Sequence, residues 1–259
     1  MKLRPGPATR FFALAYALTW LAWLPMLLDP DRWAAFHYVG SLGPALAAVV
    51  LTAVDRGRPG LRDLARRMTS APPRWVLLAI ALPVSLFAVG AGVSALLGDP
   101  VDPARLLGSR EYPGIGWLVI PLEIVFFGYG EEVGWRGYAL DALQAPGRSA
   151  YAATTWLALL WAGWHLPLFL YADGLASLPL LMIPGWFLSI LFGAYLVTWC
   201  YRSSRNSLLV VAVLHGVIDL VSITPAATTA TLIGSTPVSL PPPCSWSSGG
   251  RRDWISTRR

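Results

Sequence analysis

Apolar runs follow one another along this chain, each close to the length an α-helix needs to cross about 30 Å of hydrocarbon. Seven can be read: Phe11 to Leu28, Phe36 to Val54, Trp75 to Leu97, Ile115 to Leu143 with polar interruptions, Tyr151 to Leu170, Leu178 to Tyr201 and Leu208 to Ile223. Only 13% of the 259 residues are charged while 55% are hydrophobic, so a soluble domain of this length would lack its polar shell. That excludes a cytosolic or secreted enzyme and a disordered chain. Two cysteines, Cys200 and Cys244, are too few for a disulfide framework and have no metal-type spacing. The expected fold class is all-α, a polytopic transmembrane helical bundle of seven to eight spans.

The first run follows basic residues, as a signal peptide would, but Leu28-Asp29-Pro30-Asp31 offers no small-residue cleavage site, so a retained anchor is expected. Basic residues alternate between the loops. Lys2, Arg4 and Arg10 precede the first span, Arg32 stands alone after it, and a cluster from Arg56 to Arg74 follows the second. Arg148, Arg202 and Arg205 fall in later loops on the same side. This pattern places the N-terminus in the cytoplasm, with the chain expected to be a multi-pass protein of the plasma membrane. It also accounts for the formal net charge of +6 without a nucleic-acid partner. Arginine nearly to the exclusion of lysine, with abundant Ala, Gly and Pro, points to a GC-rich bacterial genome. The segment from Asp55 to Arg74 reads as a solvated connecting loop in preference to an amphipathic helix on the leaflet, because Gly57, Pro59, Gly60 and Pro72-Pro73 interrupt it. One integral-membrane domain is expected over residues 1–240, with a weak eighth crossing from Thr224 to Leu240. Residues 241–259, rich in Pro, Ser, Gly and Arg, read as a disordered cytoplasmic tail.

An ionisable group inside a span costs at least about 2.5 kcal/mol, so those present mark function. The fourth run contains Glu131-Glu132-Val133-Gly134-Trp135-Arg136, the fifth Trp161-Ala162-Gly163-Trp164-His165, and the seventh His215-Gly216-Val217-Ile218-Asp219. Glu132 and Arg136, four apart, share a helix face and can neutralise one another. Glu131 points about 100° away with no such partner in its own helix, which suits a general base. His215 and Asp219 also stand four apart and could bond each other, face a shared ligand or hold a metal. Counting about 1.5 Å per residue, Glu131 lies roughly 18 Å from one end of its helix, His165 roughly 20 Å beyond Tyr151 and His215 roughly 12 Å beyond Ser207. The three sites therefore reach similar depths from one side, as a water-filled intramembrane cavity requires.

These residues resemble the CPBP intramembrane proteases, also called the type II CAAX prenyl protease or ABI family. The family motifs are EExxxR, FxxxH and HxxxN or HxxxD; here they read EEVGWR, WAGWH and HGVID, in order, over about residues 115–224. The resemblance implies a catalytic set of Glu131, Glu132, His165, His215 and Asp219. In it Glu131 and His165 activate water, His215 and Asp219 hold the scissile carbonyl and its oxyanion, and Glu132 pairs structurally with Arg136. Trp161 replaces the usual Phe. Asp219 stands where the prenyl proteases of eukaryotes and archaea carry Asn; an ionised carboxylate would repel an oxyanion, so it acts protonated or by orienting His215.

Glu131, His165, His215 and Asp219 are an acceptable zinc ligand set, but there is no HExxH helix, and using all four as ligands leaves no base. A mechanism without metal or other cofactor is therefore expected, with zinc as the alternative. The expected partners are the lipid bilayer and a membrane-anchored or lipidated peptide substrate. A non-catalytic binding or immunity protein on the same scaffold, and a proton-coupled transporter, are the competing functions. No internal repeat supports the transporter.

Overall fold

The computed structural model describes residues 6–110, 114–144, 148–171, 173–176 and 178–227. Each of the seven apolar runs falls largely within helix, and no strand occurs among the described residues. Helix α1 (Pro7–Trp23) continues as a short 3-10 turn and is followed by α2 (Ala35–Ser41), α3 (Gly43–Thr69) and α4 (Pro73–Leu96). The fourth run is a composite. Helices α5 (Val119–Leu122), α6 (Gly130–Gly134) and α7 (Leu140–Leu143) are joined by the π-helical segments Glu123–Tyr129 and Trp135–Ala139. Then come α8 (Ala150–Trp164), two single turns α9 (Leu168–Tyr171) and α10 (Asp173–Ala176), α11 (Ile183–Ser203) and α12 (Leu208–Ile223). Pro7 and Pro73 sit in first turns, where a missing N–H costs nothing, and the hydroxyls of Ser149 and Ser207 cap α8 and α12 by accepting from Ala152 and Val210 N–H.

Five stretches are long and apolar enough to cross a membrane: Pro7–Leu27, Ala35–Thr69, Pro73–Leu96, Ala150–Tyr171 and Leu180–Ser203. Exposure supports that reading independently. Helix α4 buries only a narrow stripe, Ala79, Pro83, Phe87, Gly90 and Ser94, while Leu77 and Val89 on its other sides are 68% and 66% exposed. A helix that is apolar all round yet buried along one seam has lipid as its remaining neighbour. Helix α12 is the reverse: it is buried from Val210 to Val217, with α4, α3, α11 and the composite helix packed around it. The protein is thus an all-helical integral membrane bundle whose central element carries His215.

Three features depart from the sequence reading. The Asp55 to Arg74 segment is helix as far as Thr69. Gly57, at φ 59°, absorbs the bend, and beyond it Leu64 and Arg67 are buried against protein. Arg67 donates to Tyr201 Oη at 2.7 Å and to the Gly137 carbonyl at 3.3 Å, and pairs with Asp63 at 3.0 Å, so the arginine-rich turn is a strut between α3, α11 and the composite helix. The run from Tyr151 to Leu170 is broken after Trp164: Pro167 has no N–H to donate and disfavours helix at Leu166, so His165 lies at the end of α8. The fourth run is not one regular helix but alternates α and π winding. The tail 241–259 and nearly all of the eighth crossing lie outside the described residues.

One end of the bundle is tied by Arg10 of α1, which makes two 3.0 Å bonds to Asp55 of α3, while Tyr138 Oη of the composite helix donates to the same carboxylate at 2.7 Å. These bonds fix α1, α3 and the composite helix relative to one another below the acidic pair.

Candidate active site

The two glutamates sit on a single turn of α helix bracketed by π segments. A π turn closes its bonds one residue later than an α turn, widening the helix and shifting which side chains share a face. Small residues then let neighbouring backbones close in. A Cβ added at Gly216 of α12 would lie 2.7 Å from Ile124 Cα, and one at Gly134 would lie 2.6 Å from the Pro44 carbonyl carbon of α3. Only glycine permits these approaches, and they bring α12 and α3 onto the helix that carries Glu131 and Glu132.

The result is a polar cluster sealed in apolar protein. Glu132 and Arg136 are fully buried, and Arg136 Nη1 donates to Glu132 Oε1 at 2.8 Å. The same oxygen accepts from His215 Nδ1, also at 2.8 Å, so the donor hydrogen of that imidazole is on Nδ1 and its Nε2 points elsewhere. Asp219 Oδ2 lies 3.6 Å from Nε2, close enough for charge attraction but too long for a hydrogen bond. Arg136 also donates to the Ala194 carbonyl of α11 at 3.3 Å and lies over the Trp161 ring, 5.3 Å from its centroid. The carboxylate and the guanidinium are thus held by groups from α8, α11 and α12.

Glu131 has a different environment. It is 3% exposed, and its Oε2 accepts from two indole N–H groups, Trp161 at 2.7 Å and Trp135 at 3.1 Å. Trp135 is four residues along the same helix, so Glu131 does have a partner there, a neutral donor rather than a cation. Among the described residues nothing donates to its Oε1. His165 Nδ1 faces the Trp161 carbonyl at 2.7 Å; a carbonyl only accepts, so Nδ1 carries the hydrogen and Nε2 carries the lone pair. Trp161 is the hub that joins these groups, with its ring 5.7 Å from that of His165 and 5.6 Å from that of His215. The structure therefore brings Glu131, His165 and His215 around one indole, links Glu132 and Arg136 to His215, and leaves Asp219 beside His215.

Among the ionisable residues in the apolar runs that escaped the motif-based reading are Glu123 and His37. Glu123, 2% exposed, accepts from Tyr38 Oη at 3.2 Å. His37, half-buried on α2, packs its ring against those of Trp23 and Phe127. Their rarity in predicted spans was the available signal. Among the described residues no three His, Cys, Asp or Glu side chains are gathered as metal ligands.

The family model for type II CAAX prenyl endopeptidases, Rce1-like, matches residues 113–221, which contain all three motif helices. A CAAX prenyl protease 2 of Methanococcus maripaludis is 33% identical over 228 residues, covering 81% of this chain and 82% of that protein. The chain belongs to the CPBP, or type II CAAX protease, family.

Proposed function

We propose that the protein is an intramembrane endopeptidase that hydrolyses a peptide bond near the C-terminus of a lipid-anchored, CAAX-type substrate, using a water activated by Glu131 and His165. The observation that carries this reading is the Glu131 carboxylate: one oxygen is fixed by two indole donors and the other is bonded by no described residue. A base so held is oriented without being consumed by a counter-ion. Water sits between Glu131 Oε1 and the lone pair of His165 Nε2. As its oxygen attacks the scissile carbonyl carbon, its proton passes to Glu131. The tetrahedral oxyanion lies against His215, which donates from Nε2 when doubly protonated between Glu132 and Asp219. The C–N bond then breaks and Glu131 returns the proton to the leaving amine. Asp219 acts by holding His215 in this orientation.

The arginine distribution has this site open toward the cytoplasm, where a lipidated C-terminus would enter from the inner leaflet. Purified protein in liposomes should cut a prenylated, membrane-anchored peptide, and Glu131→Gln should lower kcat about 10²- to 10⁴-fold, the range expected on removing a general base. Undiminished turnover by Glu131→Gln would overturn the proposal.

A further inference from the structure

His37, one of three histidines in the chain, has no part in the mechanism above. It stands on α2, with its ring 5.7 Å from that of Trp23 and 5.3 Å from that of Phe127. Both neighbours lead to the reacting groups. Phe127 is one helical turn before Glu131 on the composite helix. The Trp23 ring lies 4.8 Å from that of Trp164, which lies 4.9 Å from that of His165. The backbone at His37 is itself fixed, because Trp23 Nε1 donates to its carbonyl at 3.2 Å.

The imidazole is held in place, yet neither ring nitrogen is hydrogen-bonded by any described residue. A structural histidine in an apolar wall normally satisfies its donor and its acceptor, since leaving them bare costs about 1–3 kcal/mol. His37 is half-buried rather than sealed, as are His165 and Asp219, whereas Glu131, Glu132, Arg136 and His215 are buried. His37 thus belongs with the polar groups a bound molecule can reach. A ligand carboxylate would call for a cationic ring between two aromatic faces, which is an unfavourable place for charge. A peptide unit calls only for what an imidazole already has, one donor and one acceptor.

We infer that His37 is a substrate-contacting residue, hydrogen-bonding a backbone peptide unit of the extended substrate next to the scissile bond on the His165 side. This rests on the reading of the site as a peptidase. It makes His37 a determinant of substrate binding and not of the chemical step.

The test is steady-state kinetics of the full chain in liposomes with a prenylated fluorogenic peptide. His37→Phe keeps an aromatic ring between Trp23 and Phe127 but removes both polar atoms, and His37→Gln restores a donor and an acceptor. His37→Phe should raise KM about five- to tenfold with kcat within about twofold, as expected for losing one or two ordinary hydrogen bonds, and His37→Gln should recover most of that loss. An unchanged KM in His37→Phe would make His37 a packing residue, and a fall in kcat at constant KM would place it in proton transfer; either overturns the inference. Binding of the uncut peptide, measured in the Glu131→Gln background, separates the two levels of the argument. A weakened Kd in the His37→Phe, Glu131→Gln double variant supports the contact even if the parent protein proves not to cleave that peptide. An unchanged Kd refutes the contact whatever the cleavage result.

Discussion

Glu132 Oε1 receives donors from two helices, Arg136 Nη1 and His215 Nδ1, both at 2.8 Å and in protein that excludes water. Removing one member of such a pair leaves an uncompensated buried charge. Arg136→Met should therefore cost about 3–5 kcal/mol, read as a fall in the unfolding midpoint in detergent, and Glu132→Leu should cost a similar amount. The double variant removes both charges and should regain much of that stability. It should not regain turnover, because His215 would have lost the acceptor that fixes its Nδ1 hydrogen. A double variant as unstable as either single one would show that the pair does not act as a unit. The Glu132–Arg136 pair was legible in the sequence because its four-residue spacing lies within one helix. The bonds that shape the site were not: Trp161 reaches Glu131 across 30 positions and His215 reaches Glu132 across 83, distances over which periodicity carries no information. Trp135 was within reach of the same spacing rule, had neutral donors been sought for Glu131 as well as cations.

Between the residue and the bundle, the composite helix decides where the acids point. Its contact with α3 depends on Gly134, where a Cβ would meet the Pro44 backbone at 2.6 Å. Gly134→Ala should force the two helices apart, cost about 1–3 kcal/mol and reduce kcat through displaced glutamates. Gly193→Ala on α11, where a Cβ meets nothing within 4 Å, should leave activity unchanged and leave stability equal or up to about 1 kcal/mol higher. Thermal unfolding and turnover of the two variants side by side check this; equal effects would contradict the close-packing explanation. At this scale the apolar runs were legible, since run length and composition map directly onto helices, and the Leu208 to Ile223 boundaries coincide with α12. Winding was not. Hydropathy does not separate α from π turns, and the glycines and prolines of the Asp55 to Arg74 segment read as breakers, although Gly57 takes up one bend and Leu64 and Arg67 hold the rest as packed helix. Pro167, by contrast, was a sequence signal for the end of α8 at His165 that run length overrode.

At the scale of the molecule, the proposed topology, drawn from the basic residues and the helix order, is one that labelling can read. With Cys200 and Cys244 replaced, a cysteine at the exposed Ser70, between α3 and α4, should react with an impermeant thiol reagent only after the cells are opened. One at the exposed Leu106, between α4 and the composite helix, should react in intact cells. The reverse pattern would invert the bundle and move the site's opening to the other face. The decisive measurement is cleavage of a prenylated, membrane-anchored peptide by the liposome-embedded protein, comparing the parent chain, Glu131→Gln and His165→Ala, each with and without a chelator. The parent chain should cut at the same rate with and without chelator, while both variants lose nearly all activity. Activity lost on chelation and restored by zinc, or cleavage that survives Glu131→Gln, would contradict water activated by Glu131 and His165 without a metal.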